Sequence, residues 1–303
     1  MKVLAINQVK IVIRVKPLRE LIAMAIASSY VKDERAVSVL IVAKPESGKT
    51  TVISSFANNN GVFYLTDVTY SGIVNLLDDI DRGRIRTILI PDMLKVIGRK
   101  EASVENLITL LNSLIEEGIK SISTYHFSRI FDNFVRCNVI AAITSTDWFM
   151  KKATLAATGF LSRVVPFSYN YSYEDVEAIF REIIEGRANN IIFEKIKVGR
   201  VGKSGKDIFL PADMGERLKK NVVEKARDRL NRNLGLDLYG FRLQKNIQTL
   251  AKASALLRGD DTVREEDVKK LEYISEWINF DFNIIRDGEG DSGEKVQDMQ
   301  INA

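Results

Sequence analysis

Residues 43–50, Ala43-Lys44-Pro45-Glu46-Ser47-Gly48-Lys49-Thr50, follow the pattern of a phosphate-binding loop: a small residue, four variable positions, then Gly, Lys and a hydroxyl residue. Such a loop aims backbone N–H groups at phosphate oxygens, and Gly48 is where the main chain must come close. Lys49 would set its ammonium against the β- and γ-phosphates of a nucleotide, and Thr50 would offer a hydroxyl to Mg2+. Thr51 begins the helix expected to follow. An acidic partner lies downstream in Ile88-Leu89-Ile90-Pro91-Asp92. A carboxylate at the C-terminal end of a buried strand can hold the metal through water beside the loop hydroxyl, so Thr50 and Asp92 are the expected metal residues.

Chemistry of this kind needs a strand running into the loop and a helix leaving it, and the surrounding pattern supplies both. Apolar, β-branched runs recur at residues 38–43, 62–66, 86–90, 138–143 and 163–167. They are continuous rather than alternating, as strands covered on both faces are. The stretches between them have helical spacing, most clearly Val104, Leu107, Ile108, Leu111, Leu114 and Ile115. This alternation predicts a doubly wound parallel α/β domain over residues 1–171. From residue 172 the pattern turns helical, with helices expected over 174–184, 216–230, 243–257 and 265–277. Ser172 is placed to cap the first, and Thr262, three residues before Glu265, to cap the last. Residues 172–285 therefore form a small, mainly helical second domain. Gly199, Gly202 and Gly205 mark a hairpin or mobile loop within 188–210, and 286–303 has the composition of a disordered acidic tail.

The chain has 303 residues, 46% hydrophobic and 28% charged, an ordinary globular composition that excludes a largely disordered or collagenous protein. No apolar run is long enough for a membrane span, and the N-terminus lacks the pattern of a signal peptide. Cys137 and His126 are the single cysteine and histidine, too few for a disulfide or a structural zinc site, so an intracellular protein with no membrane association is expected. The net charge of +4 is unevenly spread. Residues 286–303 carry two basic and five acidic side chains, whereas 187–232 carry thirteen basic and six acidic, a local excess of seven. Lys195, Lys197, Arg200, Lys203 and Lys206 form its densest part, a cationic segment suited to a nucleic-acid backbone.

Several further segments resemble the AAA+ P-loop ATPases, over most of residues 15–280. Residues 110–118, followed by 137–142, are similar to the subgroup that inserts a β-hairpin before the strand carrying its sensor-1 residue, which includes MCM helicases and MoxR-type ATPases. The resemblance implies a hairpin near 120–135 and a sensor 1 at Thr144, with Ser145 its neighbouring alternative. It also implies an arginine finger at Arg163, acting on the nucleotide of an adjacent subunit, and a sensor-2 arginine at Arg242 in the lid. ATP with Mg2+, and self-association into a hexameric ring or helical filament, are implied likewise. Lys120 and Arg129, on the hairpin beside Tyr125-His126-Phe127, offer a second surface for DNA.

One position departs from the family. Glu normally follows the acidic residue to orient the attacking water; here it is Met93, which can neither accept a proton nor orient water. Asp67 ends the strand that the resemblance places beside that of Asp92, and is the expected substitute base, with N-capping of the next helix as its alternative role. The expectation is an ATP hydrolase, weak if nothing replaces that Glu, working as an oligomeric motor module on DNA. A MoxR-like protein remodeller and a slow ATP-switched DNA-coating protein are the alternatives.

Overall fold

The computed structural model describes residues 15–98, 101–124, 127–186, 193–198, 201–202, 204–235 and 237–281. Five strands form one parallel sheet: β1 (Ser38–Ala43), β2 (Val62–Tyr64), β3 (Thr87–Ile90), β6 (Asn138–Thr144) and β7 (Val164–Tyr169). Their order is β2-β3-β6-β1-β7. The short strand β2 therefore lies beside β3, and β1 is an interior strand, flanked by β6 and β7.

Alternate residues of the strands enter two separate apolar layers. Val39, Ile41, Ala43, Ile140, Ala142, Val165 and Phe167 face a layer built with α1 (Lys16–Ser28) and α10 (Phe241–Arg258). Leu40, Val42, Ile88, Ile90, Val139, Ala141 and Ile143 face α3 (Tyr70–Asp81), α5 (Glu101–Asn112) and α6 (Ser145–Ala157). Both faces of every central strand are buried, which is why these runs contain no polar alternation. Asn138 is buried at the start of β6. Its amide donates to Ala25 O (2.9 Å) and Val37 O (2.8 Å) and its oxygen accepts from Thr87 Oγ1 (2.7 Å), joining β6, α1, β3 and the entry to β1.

An antiparallel hairpin, β4 (Ile119–Thr124) and β5 (Phe127–Val135), stands between α5 and β6 and lies against α3, where Arg129 pairs with Asp78 at 2.7 Å. After β7 the chain becomes helical: α7 (Tyr173–Ile184), α8 (Ala212–Leu218), a π turn, α9 (Glu224–Leu234), α10 and α11 (Glu265–Ile274). Ser172 caps α7, accepting from Asp175 N–H while Asp175 accepts from Ser172 N–H. Thr262 does not cap α11. That helix starts from Arg264, whose N–H is taken by Asp267, and Thr262 bridges to Phe209 instead. The chain then returns to the sheet, where Trp277 stacks on Phe167, Phe280 on Trp148, and Asn279 accepts from Ser168 Oγ at 2.6 Å.

Segment 193–198 is neither strand nor helix. Glu194 N–H donates to Ser55 O, and Asn59 bonds the backbone at both Glu194 and Ile196. Ile196 and Val198 turn inward against the core, and Lys195 and Lys197 face solvent. The remainder of the expected hairpin or loop, 188–192, 199–200 and 203, lies outside the described residues.

Candidate nucleotide site

Strand β1 delivers Ala43 buried at the C-terminal edge of the sheet, and Lys44, Pro45 and Glu46 follow exposed. The loop closes through left-handed backbone at Glu46 (φ 61°) and Gly48 (φ 82°), which lets the chain turn directly into α2 (Lys49–Ser54). The Lys49 ammonium lies inside the loop, donating to Ala43 O (3.0 Å), Lys44 O (2.5 Å) and Ser47 Oγ (3.2 Å). Burial pushes the Lys49 amine down to about 8, against the opposing charges of Asp147 and Asp92. Thr50 is exposed and Thr51 half-buried on the first turn of α2.

Asp92 follows β3 and turns one oxygen to Leu94 N–H at 3.0 Å. Met93 is fully buried in the apolar layer under the sheet, and its N–H continues the ladder to Ala142 O. Thr144 is the last residue of β6, in register with Ala43. It caps α6: its hydroxyl accepts from Asp147 N–H (3.1 Å) and donates to Asp147 Oδ2 (2.5 Å). Asp147 is buried, and with Asp92 it is the carboxylate whose charge bears on Lys49. Sequence reasoning passed over it, although Thr144-Ser145-Thr146-Asp147 has the spacing of a helix cap. Asp67 is exposed and accepts from Val68 N–H; Thr69, not Asp67, caps α3. Of the two roles expected for Asp67, capping of α3 falls to Thr69.

Two tyrosines also reach the loop without any motif to announce them. The Tyr169 and Tyr171 hydroxyls both donate to Ser47 O, at 2.9 and 2.8 Å.

The two arginines lie elsewhere. Arg163 precedes Val164, the partner of Ser38 at the beginning of β1, whereas the phosphate loop follows Ala43 at its end. The six residues of β1 thus put about 20 Å between them. Arg163 Nε is 2.8 Å from Glu116 and its Nη2 3.0 Å from Glu117. Arg242 joins the Glu116 carboxylate at 2.5 Å and Arg35 joins it at 3.5 Å, and Arg242 also donates to Ser162 Oγ. Partial burial raises the Glu117 carboxyl, but the bond and charge of Arg163, with the charge of Arg242, outweigh it and hold the group below its ordinary range. Arg242 is thus gathered with Arg163 and away from the phosphate loop of its own chain.

The basic residues are partly engaged. Lys195 and Lys197 are exposed, while Arg200 and Lys203 lie outside the described residues, as do Tyr125, His126 and the tail after 281. Lys206 is half-buried, with its ammonium on Asp260 O and its backbone bonded to Tyr30 and Lys32. Lys120 donates to Asp132 O. Farther along the basic segment, Arg217 is clamped by Glu272 (2.8 Å) and Glu265 (2.6 Å), and Arg229 by Glu276 (3.6 Å). Those acids belong to α11 and the turn after it, beyond the window in which the sequence showed an excess.

Sheet order, a loop of phosphate-binding pattern after the interior strand β1, and helices appended beyond the edge strand define a P-loop α/β fold with a helical lid. No protein-family model and no curated protein matches the sequence. Among solved structures, the chain is similar to a putative ATPase from Cytophaga hutchinsonii, at 17% identity and a TM-score of 0.47, covering 87% of this chain and 81% of that one. It is also similar to a full-length MCM homolog from Methanopyrus kandleri, at 15% identity and a TM-score of 0.45. That match covers 88% of this chain and 56% of the homolog, so the chain spans little more than half its length. Among the described residues, no helix is long and apolar enough to cross a membrane.

Proposed function

We propose that the chain is an AAA+-type ATPase that binds Mg-ATP on residues 43–51 and hydrolyses it slowly in an assembly of several copies. The observation that carries this reading is the loop itself, with the Lys49 ammonium enclosed by backbone and flanked by the charges of Asp92 and Asp147. Oxygen donors of this kind suit a hard divalent cation, which Thr50 and Asp92 would hold and which would neutralise charge on the phosphates. Lys49 holds the phosphate end, and Thr144 stands in register with the loop to sense it. Asp147, buried and charged beside that hydroxyl, takes the water-orienting role for which Asp67 was the sequence candidate. Met93 cannot perform it, which is the reason to expect slow turnover.

Arg163 and Arg242 serve the nucleotide of a neighbouring copy in this reading, since about 20 Å of sheet separates Arg163 from its own loop. The surface of α7 supports assembly. Tyr173, Val176, Phe180, Ile183 and Ile184 share one face of that helix, and all are exposed, Ile184 at 82%. We take DNA as the substrate, contacted by Lys195 and Lys197 and by the Lys120 side of the hairpin. A protein substrate is the second reading, favoured by the neutralisation of Arg217 and Arg229 within the lid.

ATP turnover tests the core of the proposal. Slow hydrolysis that rises more than linearly with protein concentration, is lost in Lys49→Ala and falls at least tenfold in Asp147→Asn is expected. Wild-type protein that binds no ATP would overturn it. DNA binding that weakens steeply with salt, and less steeply in Lys195→Ala/Lys197→Ala, selects DNA; no binding at low salt with ATP present selects the protein substrate.

A further inference from the structure

The carbonyl of Ser47 receives two phenol hydroxyls. Tyr169 Oη donates to it at 2.9 Å and Tyr171 Oη at 2.8 Å, while Tyr169 Oη also lies 3.4 Å from Ser47 Oγ. Ser47 and Tyr169 are buried, and the two rings meet edge to face, their centroids 5.8 Å apart. Burial raises both hydroxyls well above the ordinary tyrosine value, so both remain neutral donors through the working pH range. Neither tyrosine belongs to the phosphate-loop pattern, and the roles assigned to residues 43–51, Asp92, Thr144 and Asp147 make no use of them.

Geometry gives the pair a task. Every peptide bond in the described structure is trans, so the C=O of Ser47 and the N–H of Gly48 point in opposite directions across one planar unit. Hydroxyls that fix the carbonyl on the β7 side therefore aim the Gly48 N–H away from β7. Gly48 is left-handed and has no side chain to hold that peptide by itself, so the plane would swing easily without an outside anchor. The same serine takes part on its other side, where its hydroxyl accepts from the Lys49 ammonium at 3.2 Å.

The two anchors differ in where they stand. Tyr169 is the last residue of β7, in register with Ala43, and is fixed by the sheet. Tyr171 lies beyond the strand, immediately before the Ser172–Asp175 cap that starts α7. Its hydroxyl can keep the Ser47 bond only while the beginning of the lid holds its present place.

We propose that Tyr169 and Tyr171 are positioning residues for the phosphate loop, holding the Ser47–Gly48 peptide in the orientation that receives phosphate, and that Tyr171 makes this orientation depend on the lid. The inference rests on the nucleotide reading and deepens it. Tyr169 is the fixed support and Tyr171 the conditional one, so lid displacement weakens phosphate binding without any contact between the lid helices and the nucleotide.

The experiment measures ADP affinity calorimetrically for wild type, Tyr169→Phe, Tyr171→Phe and the double variant, together with thermal stability. Each lost hydroxyl is expected to weaken ADP about fivefold, the effect of one ordinary hydrogen bond, while melting moves little. Asp175→Ala, which loosens the start of α7 and touches no part of the loop, should weaken ADP in the wild-type background and not in Tyr171→Phe. A double Tyr→Phe variant that binds ADP like wild type overturns the inference and leaves the nucleotide reading standing. Equal effects of Asp175→Ala in both backgrounds overturn the link to the lid. A wild-type protein that binds no ADP overturns the nucleotide reading, and this inference falls with it.

Discussion

Lys49 shows how much of a site's chemistry lies in the surroundings of one side chain. Enclosure by the loop brings its amine to about 8, well below the usual lysine value. Above that pH the free protein holds Lys49 neutral, and binding phosphate must draw a proton from solution. Nucleotide affinity is therefore expected to be flat below pH 7 and to fall as pH rises through 8, with proton uptake on binding at pH 8.5 measurable by calorimetry in buffers of different ionisation heat. Unfolded, the same amine titrates near 10.5, so its burial penalty on stability is relieved between pH 8 and 10.5. Met93 gives the opposite lesson. Its side chain is sealed in the apolar layer, so Met93→Glu would bury a carboxylate without a partner. That variant should lose about 3 kcal/mol of stability in denaturant titration and gain no turnover. The pattern of residues 43–50 and the strand before Asp92 were readable because local spacing carries them. Asp147 was hidden inside an ordinary helix cap, and Tyr169 and Tyr171 had no local pattern, since their partner is more than 120 positions away.

At the scale of elements, the continuous apolar runs were legible because two covered faces leave no room for polar alternation. Details shifted where packing decided them: β2 ends at Tyr64 rather than residue 66, and α11, though it begins at Glu265 as expected, is preceded by Arg264 rather than Thr262 as its cap and ends at Ile274. Part of the charge excess of the basic segment is neutralised across space. A count along the chain pairs charges with their sequence neighbours, whereas α8 pairs across space with α11 through Arg217, Glu265 and Glu272. The Arg217 bonds hold both carboxyls below their ordinary 4.5, against a smaller opposing effect of desolvation. Groups lowered in this way stabilise above their unfolded value and cease to do so as pH falls through the folded ones. Acid should therefore loosen the lid below about pH 4.5, and Arg217→Met should flatten that part of the stability profile, as followed by circular dichroism against pH.

For the whole molecule, the parallel sheet decides what one copy can do alone. The phosphate loop stands at the C-terminal edge and the Glu116 cluster of Arg35, Arg163 and Arg242 at the other. Under the proposed function, each copy carries half of two different sites. Lys49→Ala and Arg163→Ala proteins, each inactive alone, should then regain part of the wild-type turnover when mixed, because some junctions pair an intact loop with an intact arginine. Failure of every mixing ratio to restore activity would leave Arg163 with only its contacts inside its own copy, to Glu116 and Glu117 among them.

Pro166 in β7 has a consequence for how copies can meet. Strand β7 is one border of the sheet, and a proline there has no N–H to offer an incoming strand. The opposite border, β2, is three residues long. Both borders of the sheet are thus blunted against an incoming strand. Under the proposed function, copies joined by side-chain contact between helices and loops can be released and remade without tearing a backbone ladder.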